Sequence, residues 1–140
     1  MIVFADTSGL FALLVRDDIM HVSAKNRFAH FALIGAQLLT SSCVLVETMA
    51  LLQRRVGLGP VHDFNAKIFP LMEILWVDGI WHARATQRLL REDNQKVSFV
   101  DCLSFEIMEA REITEAFTFD RNFAHQGFNT TPPPKHDDIA

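Results

Sequence analysis

The chain has 140 residues, 49% of them hydrophobic, and a formal charge of -4 at pH 7. This length supports one hydrophobic core and is too short for two ordinary domains. The net negative charge excludes a protein that coats nucleic acid by bulk positive charge, although it permits a local basic patch. No apolar run approaches the roughly 20 residues of a membrane span, so we expect no membrane association.

Two cysteines, Cys43 and Cys102, lie in apolar stretches that are predicted to be helical. We expect no signal peptide, and in that case buried free thiols are favoured over a disulfide. We therefore expect a cytoplasmic protein in a reducing environment.

The first predicted element is a buried strand. Residues 2–5 form a continuous apolar run that ends at Asp6, the pattern of a strand covered on both faces of a parallel sheet. Thr7 or Ser8 then offers a cap for a helix. Apolar residues at helical spacing cover 10–31 with a break at two aspartates, which predicts a helical hairpin.

The rest of the chain alternates between strands and helices. We predict strands at 37–40, 72–77 and 116–119, and helices at 42–56, 60–70, 80–91 and 98–110. Ser41 or Ser42, Asp78 and Ser98 are the expected caps of three of these helices. The alternation predicts a three-layer α/β/α sandwich with a mainly parallel central sheet. We expect one domain over residues 1–131 and a tail at 132–140.

Four carboxylates stand where a strand ends, where a helix begins or inside an apolar helix: Asp6, Glu47, Asp101 and Asp120. Each has an ordinary structural explanation, because three could cap helices and Glu47 could lie on a solvated face. Ligand sites of parallel sheets lie outside the carboxyl ends of the strands, where such distant acids can meet. Carboxylates 4 Å apart would repel by about 4 kcal/mol per pair, so a shared site favours a bound cation.

These acids also carry a resemblance to a known family. The segments FADTSGL, VLVETMALL, SFVDCLSFEIM and FTFDRNFAHQGF resemble, in this order, the four acidic motifs of PIN-domain nucleases. They are most similar to those of the VapC-type toxins of prokaryotic toxin–antitoxin pairs. The resemblance covers roughly residues 1 to 130 and leaves the PPPKHDDIA tail without a counterpart.

The resemblance implies a PIN-like fold and a metal-dependent ribonuclease. Its implied catalytic and metal-binding residues are Asp6, Glu47, Asp101 and Asp120, with Thr7 and Thr118 as supporting hydroxyls. It further implies an RNA substrate, a cognate antitoxin that inhibits the enzyme, and a homodimer. Oxygen-only ligands suit Mg²⁺ or Mn²⁺, and a two-metal site hydrolyses a phosphodiester without a protein nucleophile.

Six cations lie near the acidic motifs in sequence and some could hold flanking phosphates, although for any single one a solvated surface charge is the favoured explanation. They are Arg16, Lys25, Arg27, Arg54, Arg55 and Arg121.

Two alternatives remain open at this stage. The first is a catalytically silent PIN-like module that binds RNA or protein. The second is an aspartate-based phosphotransfer domain, in which an aspartate also follows the first strand. Haloacid-dehalogenase-like phosphatases need a second aspartate two residues later, where this chain has Ser8. Receiver domains need an acidic pair that we do not find.

Overall fold

The computed structural model describes residues 1–130, and within them four strands and seven α-helices alternate along the chain. The elements are β1 (Ile2–Ala5), α1 (Thr7–Leu14), α2 (His21–Leu33), β2 (Gln37–Ser41), α3 (Ser42–Arg55), α4 (Leu58–Asp63), β3 (Met72–Leu75), α5 (Gly79–Glu92), α6 (Phe99–Ala110), β4 (Glu115–Phe117) and α7 (Arg121–His125). A π-helical turn (Phe64–Ile68) and a 3₁₀ turn (Phe69–Leu71) connect α4 to β3. The predicted tail at 132–140 lies outside the described residues.

The four strands form a parallel sheet in the order β3-β2-β1-β4. In its register Val3 is paired with Leu38 on one side and with Glu115 on the other. Helices flank the sheet, so the predicted three-layer α/β/α sandwich is confirmed. Because the strands are parallel, the residues that follow β1 and β4 emerge at the same edge.

The hydrophobic core draws on every layer of the sandwich, and the inner strand β1 and helix α6 are among its most fully buried parts. Val3, Phe4 and Ala5 have no exposed surface, as their apolar run predicted. Helix α6 is buried along most of its length, including Leu103 and Phe105. Within residues 1–130, no helix combines the length and the apolar character needed to cross a bilayer.

Several predicted caps are present. Ser41 accepts a hydrogen bond from the backbone N–H of Val44, and Asp78 accepts one from Trp81. The predicted cap of α1 is wrong, because Asp6 rather than Thr7 or Ser8 holds the N-cap position. The side chain of Asp6 makes no capping bond there.

Strand β4 differs from its predicted range of 116–119, since the ladder ends at Phe117. Beyond the ladder, side-chain hydroxyls accept the next two backbone hydrogen bonds. The N–H of Phe119 donates to Ser8 Oγ, and the N–H of Asp120 donates to Thr118 Oγ1. Asp120 therefore lies in a side-chain-bonded turn beyond the strand. Strand β3 is likewise shorter than predicted and ends at Leu75.

Candidate active site

Asp6 follows the central strand directly and is 4% exposed. Its backbone N–H still donates to Phe117 O at 3.0 Å, which keeps the residue against β4. The hydroxyl of Thr118 donates to Asp6 Oδ2 at 2.8 Å, and that of Ser8 donates to the same oxygen at 3.0 Å. A buried carboxylate is thus held by two hydroxyl groups from different parts of the chain.

The two hydroxyls also lie 3.0 Å from each other. Each hydroxyl has a single proton, so when both donate to Asp6 neither has a proton left for this contact. They then act as acceptors for the backbone beyond β4, with Thr118 Oγ1 receiving the N–H of Asp120 at 3.0 Å. Thr118 therefore links the Asp6 carboxylate to the backbone of Asp120.

Asp101 lies in the first turn of α6 and is 7% exposed. Ser98 and Asp101 form a capping box, in which Ser98 Oγ accepts from the N–H of Asp101 and Asp101 Oδ2 accepts from the N–H of Ser98. The capping explanation offered by the sequence is therefore confirmed for this residue. The cap also fixes where the carboxylate points, so a structural role and a site role are compatible.

Asp120 occupies the N-cap position of α7, where Oδ1 accepts the backbone N–H of Asn122 at 2.9 Å. The amide of Asn122 in turn donates to Asp101 Oδ2 at 3.4 Å and to Lys96 O at 3.1 Å. Asn122 thereby connects the segment of Asp120 to that of Asp101.

Burial and the neighbouring negative charges raise the pKa values of Asp6 and Asp101. Desolvation raises the pKa of Asp6 to about 6, against the opposing hydrogen bonds, and the charge of Asp120 adds to the increase. Desolvation also raises the pKa of Asp101 to about 7, with further contributions from the charges of Asp120 and Asp6. The three aspartates are therefore close enough to repel one another.

Glu47 stands apart from this group. It lies partly exposed in the second turn of α3. Burial raises the pKa of Cys43 one turn earlier and the charge of Glu47 adds to the increase, whereas Glu47 is not among the main causes of the raised pKa values of Asp6 and Asp101. The structure brings three of the four predicted acids together, and the role of Glu47 stays a prediction.

Comparison with known proteins identifies the family. The family model for the PIN domain matches residues 3–129. The chain belongs to the PIN-domain family. It is 33% identical over 132 residues to the "23S rRNA-specific endonuclease VapC20" of two Mycobacterium tuberculosis strains, with 94% of this chain and 98% of that protein covered.

A solved structure agrees with the sequence relatives. The crystal structure of M. tuberculosis VapC20, described as a "Sarcin-Ricin loop cleaving toxin", superposes with a TM-score of 0.83 at 32% identity, covering 95% of this chain and 100% of that one. The chain is accordingly a VapC-type PIN-domain ribonuclease, as its four motifs predicted.

The donor set of this PIN domain suits a hard divalent cation. Within residues 1–130, no three His, Cys, Asp or Glu side chains lie close enough together to enclose an ion. Mg²⁺ needs no such enclosure, because it is usually held by one or two carboxylates and keeps several waters. Thr7 Oγ1 is buried beside Asp6 without a hydrogen-bond partner, so it is an oxygen available to an ion or its water.

The structure adds two residues to the site of the PIN domain that the sequence did not single out. The sequence marked Ser8 as a possible helix cap and as the position where a phosphatase would have an aspartate, yet Ser8 bonds to Asp6 and to the backbone of Phe119. Asn122 had no assigned role, yet it bridges Asp101 and Lys96. The only signal in the sequence was their position two residues after Asp6 and Asp120.

Proposed function

We propose that this PIN-domain chain hydrolyses RNA with Mg²⁺ or Mn²⁺, each ion held by one or two carboxylates from the set Asp6, Asp101 and Asp120, with Glu47 as the fourth acid. The observation that carries the proposal is the meeting of three aspartates at one sheet edge, two of them buried and with raised pKa values. Such a group is electrostatically costly without a cation. The divalent ion would neutralise phosphate charge and acidify an attacking water.

The chain's own side chains keep the acids in position. Thr118 and Ser8 hold Oδ2 of Asp6, which leaves Oδ1 free of both hydroxyl bonds. The capping box and Asn122 orient Asp101. No serine, cysteine or histidine nucleophile is required, and the expected products carry a 5′-phosphate and a 3′-hydroxyl.

The substrate we propose is a structured ribosomal RNA of the kind that VapC20 cleaves. Support comes from the likeness to VapC20, which extends over nearly the whole length of both chains. An rRNA substrate is also consistent with action in the cytoplasm, where ribosomes are found.

Cleavage of a synthetic sarcin–ricin-loop hairpin tests the proposal. With Mg²⁺ or Mn²⁺ the wild type should cut the hairpin, and EDTA should stop the reaction. Asp101→Asn should reduce the rate by at least 100-fold, whereas Asp17→Asn on an exposed turn should cut at the wild-type rate. An intact hairpin with every ion would instead support the silent PIN-like module. The family assignment removes the phosphotransfer alternative.

We further propose a cognate antitoxin and a homodimer as partners. Support comes from the family and from large apolar side chains that this single chain leaves exposed, among them Ile19, Leu33, Val46, Trp76, Ile80 and Leu90. Co-expression with the neighbouring reading frame should recover a complex without ribonuclease activity. Light scattering of the purified protein should give twice the mass of one chain.

For the domain boundary we retain the nuclease at residues 1–131 and a tail at 132–140. A chain that ends at Thr131 should cleave the same hairpin as the full chain.

A further inference from the structure

A cavity of about 190 Å³ lies beside Asp120. Thr118 and Asp120 form the wall that it shares with the candidate active site, and Arg27, Phe119 and Arg121 line it as well. Two cations therefore border a space that adjoins the acidic group. We call this space the Arg27 pocket.

Arg27 reaches the pocket from α2 and is held there by neutral groups. Its Nη1 donates to Thr118 O at 3.3 Å and to Thr130 O at 3.1 Å, and its guanidinium lies over the ring of Phe119, 4.6 Å from the centroid. Within residues 1–130 it forms no ion pair with any acidic side chain. Its charge is thus fixed in place, and no acidic side chain of the described residues pairs with it.

The burial of Arg27 makes this arrangement costly. Its Nε lies buried without a hydrogen-bond partner, and desolvation lowers the pKa of the guanidinium. A partly desolvated cation is destabilising unless an anion compensates it. An anion in the pocket would provide that compensation, and it would be more strongly attracted there than at a solvated arginine.

Arg121 is the second cation of the pocket. It is exposed, and within the described part of the chain it too forms no ion pair. It directly follows Asp120, so an anion bound between Arg27 and Arg121 would lie next to the acids that are proposed to act on RNA.

We propose that the Arg27 pocket binds a phosphodiester group of the RNA, the one that neighbours the phosphate being cut. The inference rests on the proposed function. A guanidinium pairs well with phosphate oxygens, and two arginines match the charge of an RNA backbone better than that of a single neutral base. A base cannot stack on Phe119 from the side that the guanidinium of Arg27 already covers.

A purely structural role for Arg27 is the main rival. Its two carbonyl bonds join the segments that contain Thr118 and Thr130, and such a clamp would stabilise the fold without any ligand. The two roles differ in what they require, because a clamp needs hydrogen-bond donors whereas a phosphate site needs positive charge. Arg121 offers an independent test, since no clamp depends on it.

The experiment compares Arg27→Gln, Arg121→Gln and the matched control Arg111→Gln. The Arg111→Gln variant loses the same charge as the other two. Arg111 lies at the C-terminus of α6, where its side chain is 45% exposed and 4.0 Å from Glu73. Binding of a fluorescent sarcin–ricin-loop hairpin is measured as a function of salt, and cleavage is measured as kcat and KM. Melting temperatures show whether each variant is folded.

We expect Arg27→Gln and Arg121→Gln each to weaken binding and raise KM by about tenfold, with a smaller change in kcat. Each should also reduce the slope of log affinity against log salt by roughly 0.7 to 0.9, the value for one lost phosphate contact. Arg111→Gln should match the wild type. A hairpin with one uncharged methylphosphonate beside the cut should bind wild type weakly and should lose nothing further with Arg27→Gln.

Three other outcomes would contradict the proposal that the Arg27 pocket binds an RNA phosphate. If Arg121→Gln matches Arg111→Gln and Arg27→Gln changes only the melting temperature, Arg27 is a clamp. If both variants bind RNA normally but lose the antitoxin, the anion is an acidic side chain of that protein. If the wild-type protein does not bind the hairpin, the proposed phosphate site is also contradicted. A wild type that binds with the expected slopes but never cuts leaves the pocket intact and refutes the proposed nuclease function.

Discussion

Asp6 is the residue whose surroundings most clearly distinguish a site from a structural cap. Its carboxylate is buried, makes no capping bond and receives two hydroxyl donors on one oxygen. Asp101 shows that the distinction is not absolute, since it is both a capping residue and a neighbour of the other two charges. The cap supplies a fixed geometry, and the site uses the carboxylate that the cap orients.

Asp6→Asn should abolish metal-dependent cleavage and stabilise the metal-free protein above neutral pH. The pKa of Asp6 rises from 3.8 to about 6 on folding, so between these values the folded state holds more protons than the unfolded state. The contribution of Asp6 to the free energy of unfolding is therefore fully present at low pH and is lost as the pH rises through 6. The loss is on the order of 2–3 kcal/mol. The asparagine side chain of the variant does not ionise, so the variant does not lose this stability as the pH rises.

Urea unfolding in EDTA between pH 4 and pH 8 checks this prediction. The Asn variant should match the wild type near pH 4 and exceed it near pH 8. An Asn variant that is less stable at pH 8 would show that the hydrogen bonds to Asp6 outweigh its desolvation.

At the scale of the elements, the approach of α1 to β4 brings the two hydroxyls together. An added Cβ at Gly9 would lie 2.5 Å from Phe117 O and 3.0 Å from the Phe117 carbonyl carbon, both of them backbone atoms. The absence of a side chain at Gly9 therefore lets α1 pack directly on the strand. This contact places Ser8 within reach of Thr118, 110 positions later in the chain.

Gly9→Ala should therefore destabilise the fold by about 1–3 kcal/mol, the usual cost of overpacking. Cleavage should fall more than stability alone explains, because α1 must move away from β4 and carry Ser8 with it. Activity measured well below the melting temperature checks this. Gly79→Ala is the control, since an added Cβ there meets no atom within 4 Å.

Helices α5, α6 and α7 are joined by one buried arginine. Arg88 is 5% exposed and donates to Glu106 at 2.8 Å, to Glu109 at 3.0 Å and to Gln126 at 2.8 Å. These bonds hold α6, whose first turn contains Asp101, against the C-terminal end of α7, which begins next to Asp120.

Arg88→Leu should lower stability by about 3 kcal/mol, because it leaves the glutamates without their shared partner. The melting temperature and the cleavage rate should both fall. Arg84→Leu is the matched control: it removes a 43% exposed guanidinium that contacts Glu106 at 3.4 Å and should cost less than 1 kcal/mol. Equal losses in the two variants would contradict the proposed connection through Arg88.

For the whole molecule, a bound cation should act as a folding ligand. Mg²⁺ or Mn²⁺ in excess over its dissociation constant should raise the melting temperature near pH 8, because it binds the folded state and relieves repulsion among the acids. The increase should shrink toward pH 5, where Asp6 and Asp101 are protonated. The double variant Asp6→Asn/Asp101→Asn should show no increase in melting temperature on adding the cation. An increase equal to that of the wild type would show that the cation binds elsewhere.

Much of this architecture was predictable from local patterns. The apolar run before Asp6 gave β1, and Asp78 and Ser98 marked the beginnings of α5 and α6. The end of β4 was not predictable, because it depends on the hydroxyl of Ser8 taking the backbone N–H of Phe119. For Glu47 the motif predicted a place in the site, but within residues 1–130 no hydrogen bond or ion pair connects Glu47 to the three aspartates.

By itself, then, the sequence determined the order of the elements, the parallel sheet and the acidic motifs of a VapC-type PIN domain. Those features follow from short-range periodicity, caps and motif order, which are written in neighbouring residues. Only the tertiary structure decided that Asp6, Asp101 and Asp120 repel one another, that Ser8 and Thr118 share one carboxylate oxygen, and that Arg27 forms no ion pair with an acidic side chain of residues 1–130. Most of these contacts join distant parts of the chain, as when Thr118 donates to Asp6, 112 positions earlier, and their distances depend on strand register and on how closely the helices pack.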